Sequence, residues 1–136
     1  MNPTDASTRR ILVVEDEPSI SDVCRRVLSM EGFEVDIAVN GKVAQGLIGK
    51  RPYALCLIDI RTPMMNGREL YEWMEEEHRQ MAGRVIFTTG DVLGGDTQYF
   101  LAQTGQPTLP KPFSTGQLRA VVKQTLQELK YEKIRK

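Results

Sequence analysis

Apolar and polar residues follow two different spacings along this chain. Short runs rich in β-branched residues, such as "ILVV" (11–14) and "ALCLIDI" (54–60), are typical of strands that are buried on both faces of a sheet. Between such runs, apolar residues recur every three or four positions, which is the spacing of one face of a helix. "FEVDIAV" (33–39) instead alternates apolar with acidic residues, which favours a strand nearer the sheet edge. The pattern predicts strands and helices in alternation.

Five strand-and-helix units are predicted. The strands are "RRILVVED" (9–16), "FEVDIAV" (33–39), "ALCLIDI" (54–60), "RVIFTTGD" (84–91) and "PTLPKP" (107–112). The first and last helices begin at Pro18 and at Ser114. The three helices between them are "NGKVAQGLIGK" (40–50), "NGRELYEWMEEEHRQM" (66–81) and "GGDTQYFLAQTG" (94–105). Capping-box spacing supports two of these starts, at Asn66 with Glu69 and at Ser114 with Gln117. In the second helix the spacing places Val43, Ala44, Leu47 and Ile48 on one buried face.

This alternation predicts an α/β fold with a five-stranded parallel sheet in the order 2-1-3-4-5 and helices on both faces, because each crossover is right-handed and covers an apolar strand. Pro110 restricts the fifth strand to a sheet edge. Doubly wound sheets bind ligands at the carboxyl ends of their strands, where the strand order reverses. In this order that point lies between the first and third strands, which end in Glu15-Asp16 and in Asp59.

Composition narrows the domain organisation and the kind of partner. The 136 residues suit one folded domain at 9–133, with a disordered tail at 1–8 and a frayed basic tail at 134–136. Because 18 basic and 18 acidic residues cancel, no overall field attracts nucleic acid or a membrane. No apolar stretch is long enough to span a bilayer and the N-terminus does not look like a signal peptide, so we expect a cytoplasmic protein. Cys24 and Cys56 fit reduced core residues.

The acidic residues at the strand ends indicate a cation site. Three carboxylates in a partly desolvated crevice repel one another unless a cation joins them, and Mg²⁺ suits carboxylates, a backbone carbonyl and water. Thr88 or Thr89 adds a hydroxyl group and Lys111 an ammonium group from neighbouring strand ends. A nucleophilic carboxylate, a metal, a hydroxyl and a cation together favour formation of an aspartyl phosphate.

These residues resemble those of the receiver domains of bacterial two-component response regulators, which have a flavodoxin-like fold. The resemblance covers roughly residues 10–130. The matching features, in chain order, are Glu15-Asp16, Asp59, Pro63 and Gly67 in "DIRTPMMNG", Thr89 with Gly90, and "KPF" (111–113). Any one of these is a weak signal, whereas all of them in the correct order are specific.

The resemblance implies a role for each residue. It makes Asp59 the phosphoacceptor, with Mg²⁺ held by Asp16, by Asp59 and by the main-chain carbonyl of Arg61, while Glu15 acts through water. It also implies that Thr89 and Lys111 bond phosphoryl oxygens and that the Lys111-Pro112 peptide is cis. The donor in this family is a phosphohistidine on a sensor histidine kinase or a histidine phosphotransfer protein. Such a domain is a signalling switch and not an enzyme, apart from phosphorylating itself from small donors and dephosphorylating itself.

Two features of the sequence bear on the output of the switch. Thr108 stands where many family members carry an aromatic residue that moves on activation. We expect a stand-alone receiver, since little chain follows the domain and no basic stripe indicates DNA binding. Its output is then contact with an unidentified downstream protein, or onward phosphotransfer. Formation of a homodimer stays open.

Two other functions each need residues that this chain does not have at the corresponding positions. A phosphatase of the haloacid dehalogenase type needs an acid two residues after its nucleophile, where this chain has Arg61. A flavodoxin-like cofactor module needs a phosphate loop where this chain has "EDEPS" (15–19).

His78 is expected to be solvated and not to carry a phosphoryl group. The pair Met64-Met65 fits loop packing and an adaptable partner contact equally well.

Overall fold

The computed structural model describes residues 9–90 and 94–135, with side chains up to Tyr131, so the predicted tail at 1–8 lies outside the described residues. The strands are β1 (Arg10–Val14), β2 (Glu34–Ala38), β3 (Leu55–Asp59), β4 (Val85–Thr89) and β5 (Thr108–Pro110). The helices are α1 (Pro18–Met30), α2 (Gly41–Lys50), α3 (Gly67–Glu77), α4 (Arg79–Ala82), α5 (Gly95–Thr104) and α6 (Thr115–Arg135). Residues 134 and 135, assigned from the sequence to a frayed tail, have helical backbone.

The strands form one parallel sheet in the order β2-β1-β3-β4-β5, which confirms the predicted topology. Asp59, at the end of β3, lies opposite Thr88 of β4, and Thr89 lies opposite Pro110. β2 and β5 are the two edge strands of the sheet. All five carboxyl ends therefore meet at one end of the sheet, which we call the upper end.

Two apolar layers cover the sheet, one on each face. Ile11 and Val13 of β1 belong to the layer that includes α1 and α6, whereas Leu12 and Val14 belong to the layer that includes α2, α3 and α5. Alternate residues of β1 thus serve opposite faces, and all four are buried. Cys24 and Cys56 are buried and form no disulfide, as predicted. Burial raises the pKa of both thiols to about 12.

Local sequence signals determine where the helices begin. Pro18 is the first residue of α1, a position where its missing N–H is not needed. Asn66 and Glu69 form a complete capping box at the start of α3. Ser114 and Gln117 form the corresponding pair of hydrogen bonds at the start of α6. Both predicted capping boxes are confirmed.

The helix predicted over 66–81 is shorter than expected. α3 ends at Glu77 and α4 begins at Arg79, with His78 between them in a non-helical conformation. Acidic side chains destabilise the last turn of a helix, so the run of glutamates at 75–77 favours a helix end here. His78 is half-buried and its ring centroid lies 4.9 Å from that of Trp73, so this histidine is less exposed than the sequence indicated.

The buried face of α2 is narrower than the sequence indicated. Ala44 and Ile48 are buried and Leu47 is half-buried, but Val43 is 43% exposed. Gly41 is also buried, and a Cβ there would lie 2.6 Å from the side chain of Met65. This contact turns the buried face towards Gly41 and Ile48, which leaves Val43 on the solvent side because successive residues are about 100° apart around a helix.

The outer edge of the sheet at β2 carries a small polar network. The carboxylate of Asp36 accepts a hydrogen bond from the Tyr53 hydroxyl at 2.6 Å and pairs with Arg51 at 3.3 Å. Arg10 pairs with Glu34 at 3.0 Å. These contacts anchor the acidic residues of β2 to the chain beside it.

None of the helices in the described part of the chain is long and apolar enough to cross a bilayer.

Candidate functional site

Three carboxylates meet at the upper end of the sheet. Glu15 and Asp16 follow β1 directly, and Asp59 is the last residue of β3. One oxygen atom from each lies within 4.8 Å of the others. Glu15 and Asp59 are buried, whereas Asp16 is exposed. This is the oxygen-rich, anionic donor set that suits a hard divalent cation such as Mg²⁺.

Lys111 brings a positive charge into this group. Its Nζ donates to Asp59 Oδ2 at 2.9 Å and pairs with Glu15 Oε1 at 2.8 Å. The backbone N–H of Lys111 donates to the carbonyl oxygen of Thr89 at 2.6 Å, which joins the end of β5 to the end of β4. The Lys111-Pro112 peptide is cis, as expected. The lysine side chain is 12% exposed, so its charge acts mainly on the two buried carboxylates.

Burial and neighbouring charges shift the pKa values of this pair. Burial raises the pKa of Glu15, and repulsion from Asp59 adds to the rise while Lys111 opposes it. Burial alone would lower the pKa of Lys111, but its bonds to Glu15 and Asp59 outweigh that effect and raise the pKa. Lys111 is therefore a permanent ammonium group at neutral pH.

Asp59 is held by a different donor at each carboxylate oxygen. Arg61 donates its backbone N–H to Oδ1 at 3.0 Å, and Lys111 donates to Oδ2. The following loop packs closely against the backbone of Asp59, since a Cβ on Gly67 would lie 2.8 Å from the main-chain carbonyl oxygen of Asp59. Only glycine fits at this position without a backbone shift. The backbone N–H of Arg61 thus lies at the site, while the metal-binding role of its main-chain carbonyl stays a prediction.

The two candidate threonines are both buried at the end of β4. Thr88 lies opposite Asp59 in the ladder, and its carbonyl oxygen accepts the backbone N–H of Ile60 at 3.1 Å. Thr89 is one residue nearer the upper end and holds the backbone of Lys111. Both threonines belong to the strand end beside Asp59, and Thr89 is the one that the resemblance selects.

A cavity of about 550 Å³ opens above Asp59. Its charged lining consists of Asp16, Glu17, Asp59, Arg61 and Lys111. One wall is apolar and consists of Ile20, Val23, Pro112 and Phe113. We call it the α1 wall. The cavity thus combines reactive polar groups with a surface that an apolar partner could cover.

Two features of the cavity lining were not predicted from the sequence. Glu17 donates its backbone N–H to Glu15 Oε2 at 3.2 Å, and its carboxylate lies 4.0 Å from Lys111 Nζ. The triple acid "EDE" (15–17) was a signal for it. Ile20 and Val23 of α1 recur at helical spacing, and both are half-buried and line the cavity. The direction in which α1 leaves β1 decides this, and no sequence pattern encodes that direction.

Comparison with known proteins gives consistent matches. A family model described as "Response regulator receiver domain" matches residues 11–123. The response regulator protein PilR of Pseudomonas aeruginosa is 31% identical over 117 residues, which cover 85% of this chain and 26% of PilR. The phosphate regulon transcriptional regulatory protein PhoB of Rhizobium meliloti is 32% identical over 123 residues, which cover 90% of this chain and 54% of PhoB. The chain therefore spans between about a quarter and about half of these curated relatives.

Solved structures show the same fold. A CheY-like response regulator receiver domain protein from Methanospirillum hungatei superposes with a TM-score of 0.83 at 30% identity, covering 91% of this chain and 98% of that one. The receiver domain of the sensor histidine kinase PA1611 from Pseudomonas aeruginosa, described with a magnesium ion coordinated in its active-site cleft, gives a TM-score of 0.77 at 26% identity. That match covers 88% of this chain and 98% of the PA1611 domain.

Proposed function

This chain belongs to the response regulator receiver domains, and on that premise we propose that it is a switch in which Asp59 accepts a phosphoryl group from a phosphohistidine. The donor is a sensor histidine kinase or a histidine phosphotransfer protein. The observation that carries this proposal is the buried Asp59 carboxylate, which is held by Lys111 and lies beside two further carboxylates below an open cavity.

The reaction assigned to Asp59 is a transfer from nitrogen to oxygen. A carboxylate oxygen of Asp59 attacks phosphorus, the bond between phosphorus and the donor's imidazole nitrogen breaks, and its electron pair stays on the imidazole. An acyl phosphate forms on Asp59. Lys111, which already donates to Oδ2, is placed to pair with a phosphoryl oxygen. The Thr89 hydroxyl is proposed to donate to another phosphoryl oxygen.

The donor set fits Mg²⁺. Asp16, Asp59 and the main-chain carbonyl of Arg61 would hold the ion directly, and Glu15 would act through water. When bound, Mg²⁺ supplies positive charge that lowers the repulsion between the anionic carboxylate and the anionic phosphoryl group. The chain's own part is to hold Asp59 in one orientation, through the backbone of Arg61 and the side chain of Lys111.

The α1 wall supports a protein as the donor. Ile20, Val23, Pro112 and Phe113 offer apolar contact area beside the reactive carboxylate. Arg61, where a haloacid dehalogenase phosphatase needs an acid, favours a switch over sustained turnover. We propose that the output is contact with a downstream protein or onward phosphotransfer. A cytoplasmic location and a homodimer stay predictions from the sequence.

The direct test is phosphate uptake from acetyl phosphate in the presence of Mg²⁺, followed by intact-mass measurement. We expect the wild-type chain to gain one phosphoryl group and Asp59→Asn to gain none, because the amide is not a nucleophile. Asp22→Asn removes an exposed acid on α1 and is the matched control, which should be labelled like wild type. Uptake by the Asp59→Asn variant at the wild-type level would refute the assignment.

A further inference from the structure

A second groove lies between the end of α1 and the outer half of α6, and its volume is about 320 Å³. Its floor is apolar and consists of Leu28, Phe33, Val122 and Leu126. Leu28 and Val122 are buried members of the apolar layer on this face of the sheet, and the half-buried Phe33 and Leu126 pack against that layer. We call this site the α1–α6 groove.

The α1–α6 groove is separate from the phosphoacceptor site. Leu28 lies in the last turn of α1 and Phe33 directly precedes β2, so both lie at the end of the sheet where β2 begins. Asp59 lies at the opposite, upper end, where β3 finishes. Among the described residues, none that lines the groove also lines the cavity above Asp59. A partner in the groove therefore needs no contact with Asp59.

Positive charge borders the apolar floor. Arg119, Lys123 and Lys130 are exposed residues of α6 that line the groove. Glu31 is the only acid in the lining, as far as the structure describes the chain. No carboxylate of the described residues lies within salt-bridge distance of any of the three cations. The groove thus combines an apolar floor with cations that the described residues do not neutralise.

The three cations form a row along α6. Lys123 and Lys130 follow Arg119 by four and by eleven residues, which is close to one and three turns of a helix with about 3.6 residues per turn. They therefore lie on one side of α6 and extend over about 16 Å. A ligand with a single anionic head group would pair with one of them. A ligand that carries acidic groups along its length can pair with all three.

We propose that the α1–α6 groove is a docking site for an acidic amphipathic helix of a partner protein. The apolar stripe of that helix fills the floor between α1 and α6, as in other complexes where a helix lies in a groove. Its acidic side chains pair with the row of cations on α6. Because the groove is remote from Asp59, docking does not depend on phosphorylation, and the inference does not rest on the function proposed above.

The test uses three fluorescein-labelled peptides of about 18 residues, a length that allows a helix to form. The first peptide has leucine at positions i, i+3, i+4 and i+7 along one face and glutamate and alanine elsewhere. The second peptide has lysine in place of each glutamate, and the third has serine in place of each leucine. Fluorescence anisotropy measures the binding of each peptide to the full chain at low ionic strength.

Two double variants with the same change of charge are compared. Arg119→Glu with Lys123→Glu reverses two cations of the groove, whereas Lys42→Glu with Lys50→Glu reverses two exposed lysines of α2, on the other face of the sheet. Arg119→Gln removes a single charge and serves as a milder second variant, since glutamine is a good helix former. Thermal unfolding of each variant shows whether a loss of binding is caused by misfolding.

We expect the leucine–glutamate peptide to bind wild type with a Kd of roughly 1–100 μM, and the other two peptides to bind at least tenfold more weakly. The double variant of the groove should raise that Kd by roughly tenfold or more, and Arg119→Gln should raise it by roughly twofold to fivefold. The α2 variant and Asp59→Asn should bind like wild type. Added salt should weaken the binding, because the cations are exposed.

Several results would overturn this inference. They are no binding of the leucine–glutamate peptide, equal binding of the leucine–lysine peptide, and equal weakening by the groove variant and the α2 variant. Self-association of wild type that the groove variant abolishes would place a second copy of the chain there instead. Sedimentation of wild type, but not of the groove variant, with phosphatidylglycerol vesicles would assign the groove to a lipid surface. None of these results bears on Asp59, whose role is tested separately by acetyl phosphate.

Discussion

At the scale of single residues, Lys111 has the most demanding position in the site. Its ammonium group pairs with two buried carboxylates that would otherwise repel each other. Exposed ion pairs contribute little to stability, but a buried charge that loses its partner is costly. Lys111 therefore stabilises the resting arrangement and also supplies the charge that a phosphoryl group needs.

These two roles of Lys111 can be separated by Lys111→Ala. We expect Mg²⁺ to bind this variant at least as tightly as wild type, because the carboxylates remain and a competing cation is gone. Labelling by acetyl phosphate should slow roughly 100-fold, as for loss of one charge-stabilising donor. Calorimetric titration and intact-mass kinetics measure the two effects. Lys123→Ala, on the exposed side of α6, is the control. Lost Mg²⁺ affinity with normal labelling would contradict this assignment.

At the scale of elements, the loop from β3 to α3 has little freedom to change. The Asn66–Glu69 capping box fixes where α3 begins. Thr62 donates its hydroxyl to the carbonyl oxygen of Met65 at 2.8 Å, and Gly67 donates its N–H to that of Ile60 at 3.1 Å. The same loop carries Arg61 and Met64 at defined positions. Its packing therefore determines the geometry of the site as well as the start of a helix.

Gly67→Ala tests this packing. The added Cβ would lie 2.8 Å from backbone atoms of both Asp59 and Ile60, so the loop must shift. We expect a loss of about 1–3 kcal/mol in the free energy of unfolding, as for other overpacked sites, and slower labelling of Asp59. Urea denaturation measures the first effect. Gly46→Ala is the control, because no heavy atom lies within 4 Å of its Cβ, and it should stabilise α2 by roughly 0.5–1 kcal/mol. Equal stability of the two variants would refute the argument.

The order of the strands was easier to predict from the sequence than the exposure of single surface residues. Strands and their order were predictable because runs such as "ILVV" are buried on both faces, and because parallel strand ends share one edge of the sheet. The exposure of Val43 was not predictable, since it depends on the contact between Gly41 of α2 and Met65 of the loop after β3. The exposure of Met64 depends on a backbone turn that no periodicity reveals. The conformation of a loop in three dimensions decided both cases.

At the scale of the whole molecule, aromatic packing connects the site to α5. The rings of Tyr71, Phe87 and Phe100 contact one another edge-on at 5.5–5.9 Å and join α3, β4 and α5. Phe87 is two residues before Thr89 and lies opposite Thr108, which is exposed and too small to act as an aromatic switch. We therefore expect a movement at the end of β4 to reach α5 through Phe87 and Phe100.

This connection predicts which part of the chain responds to phosphorylation. We expect a phosphoryl mimic such as beryllofluoride to change amide hydrogen exchange within the segment 90–105, because Gly94 and Gly95 allow α5 to shift when Thr89 moves. Exchange in α1 should change little. The comparison is made with and without the mimic on wild type, and on Asp59→Asn as the control. Unchanged exchange at 94–105 together with large changes in α1 would place the response on the opposite face.

The two edge strands have a consequence for how copies of this protein behave at high concentration. An exposed strand edge is a template on which another chain can add a strand and begin to aggregate. β2 places Glu34 and the anchored Asp36 along one edge, so a second copy in register would bring like charges together. β5 has three residues and ends at Pro110, which has no N–H to offer. Both edges therefore discourage fibre growth.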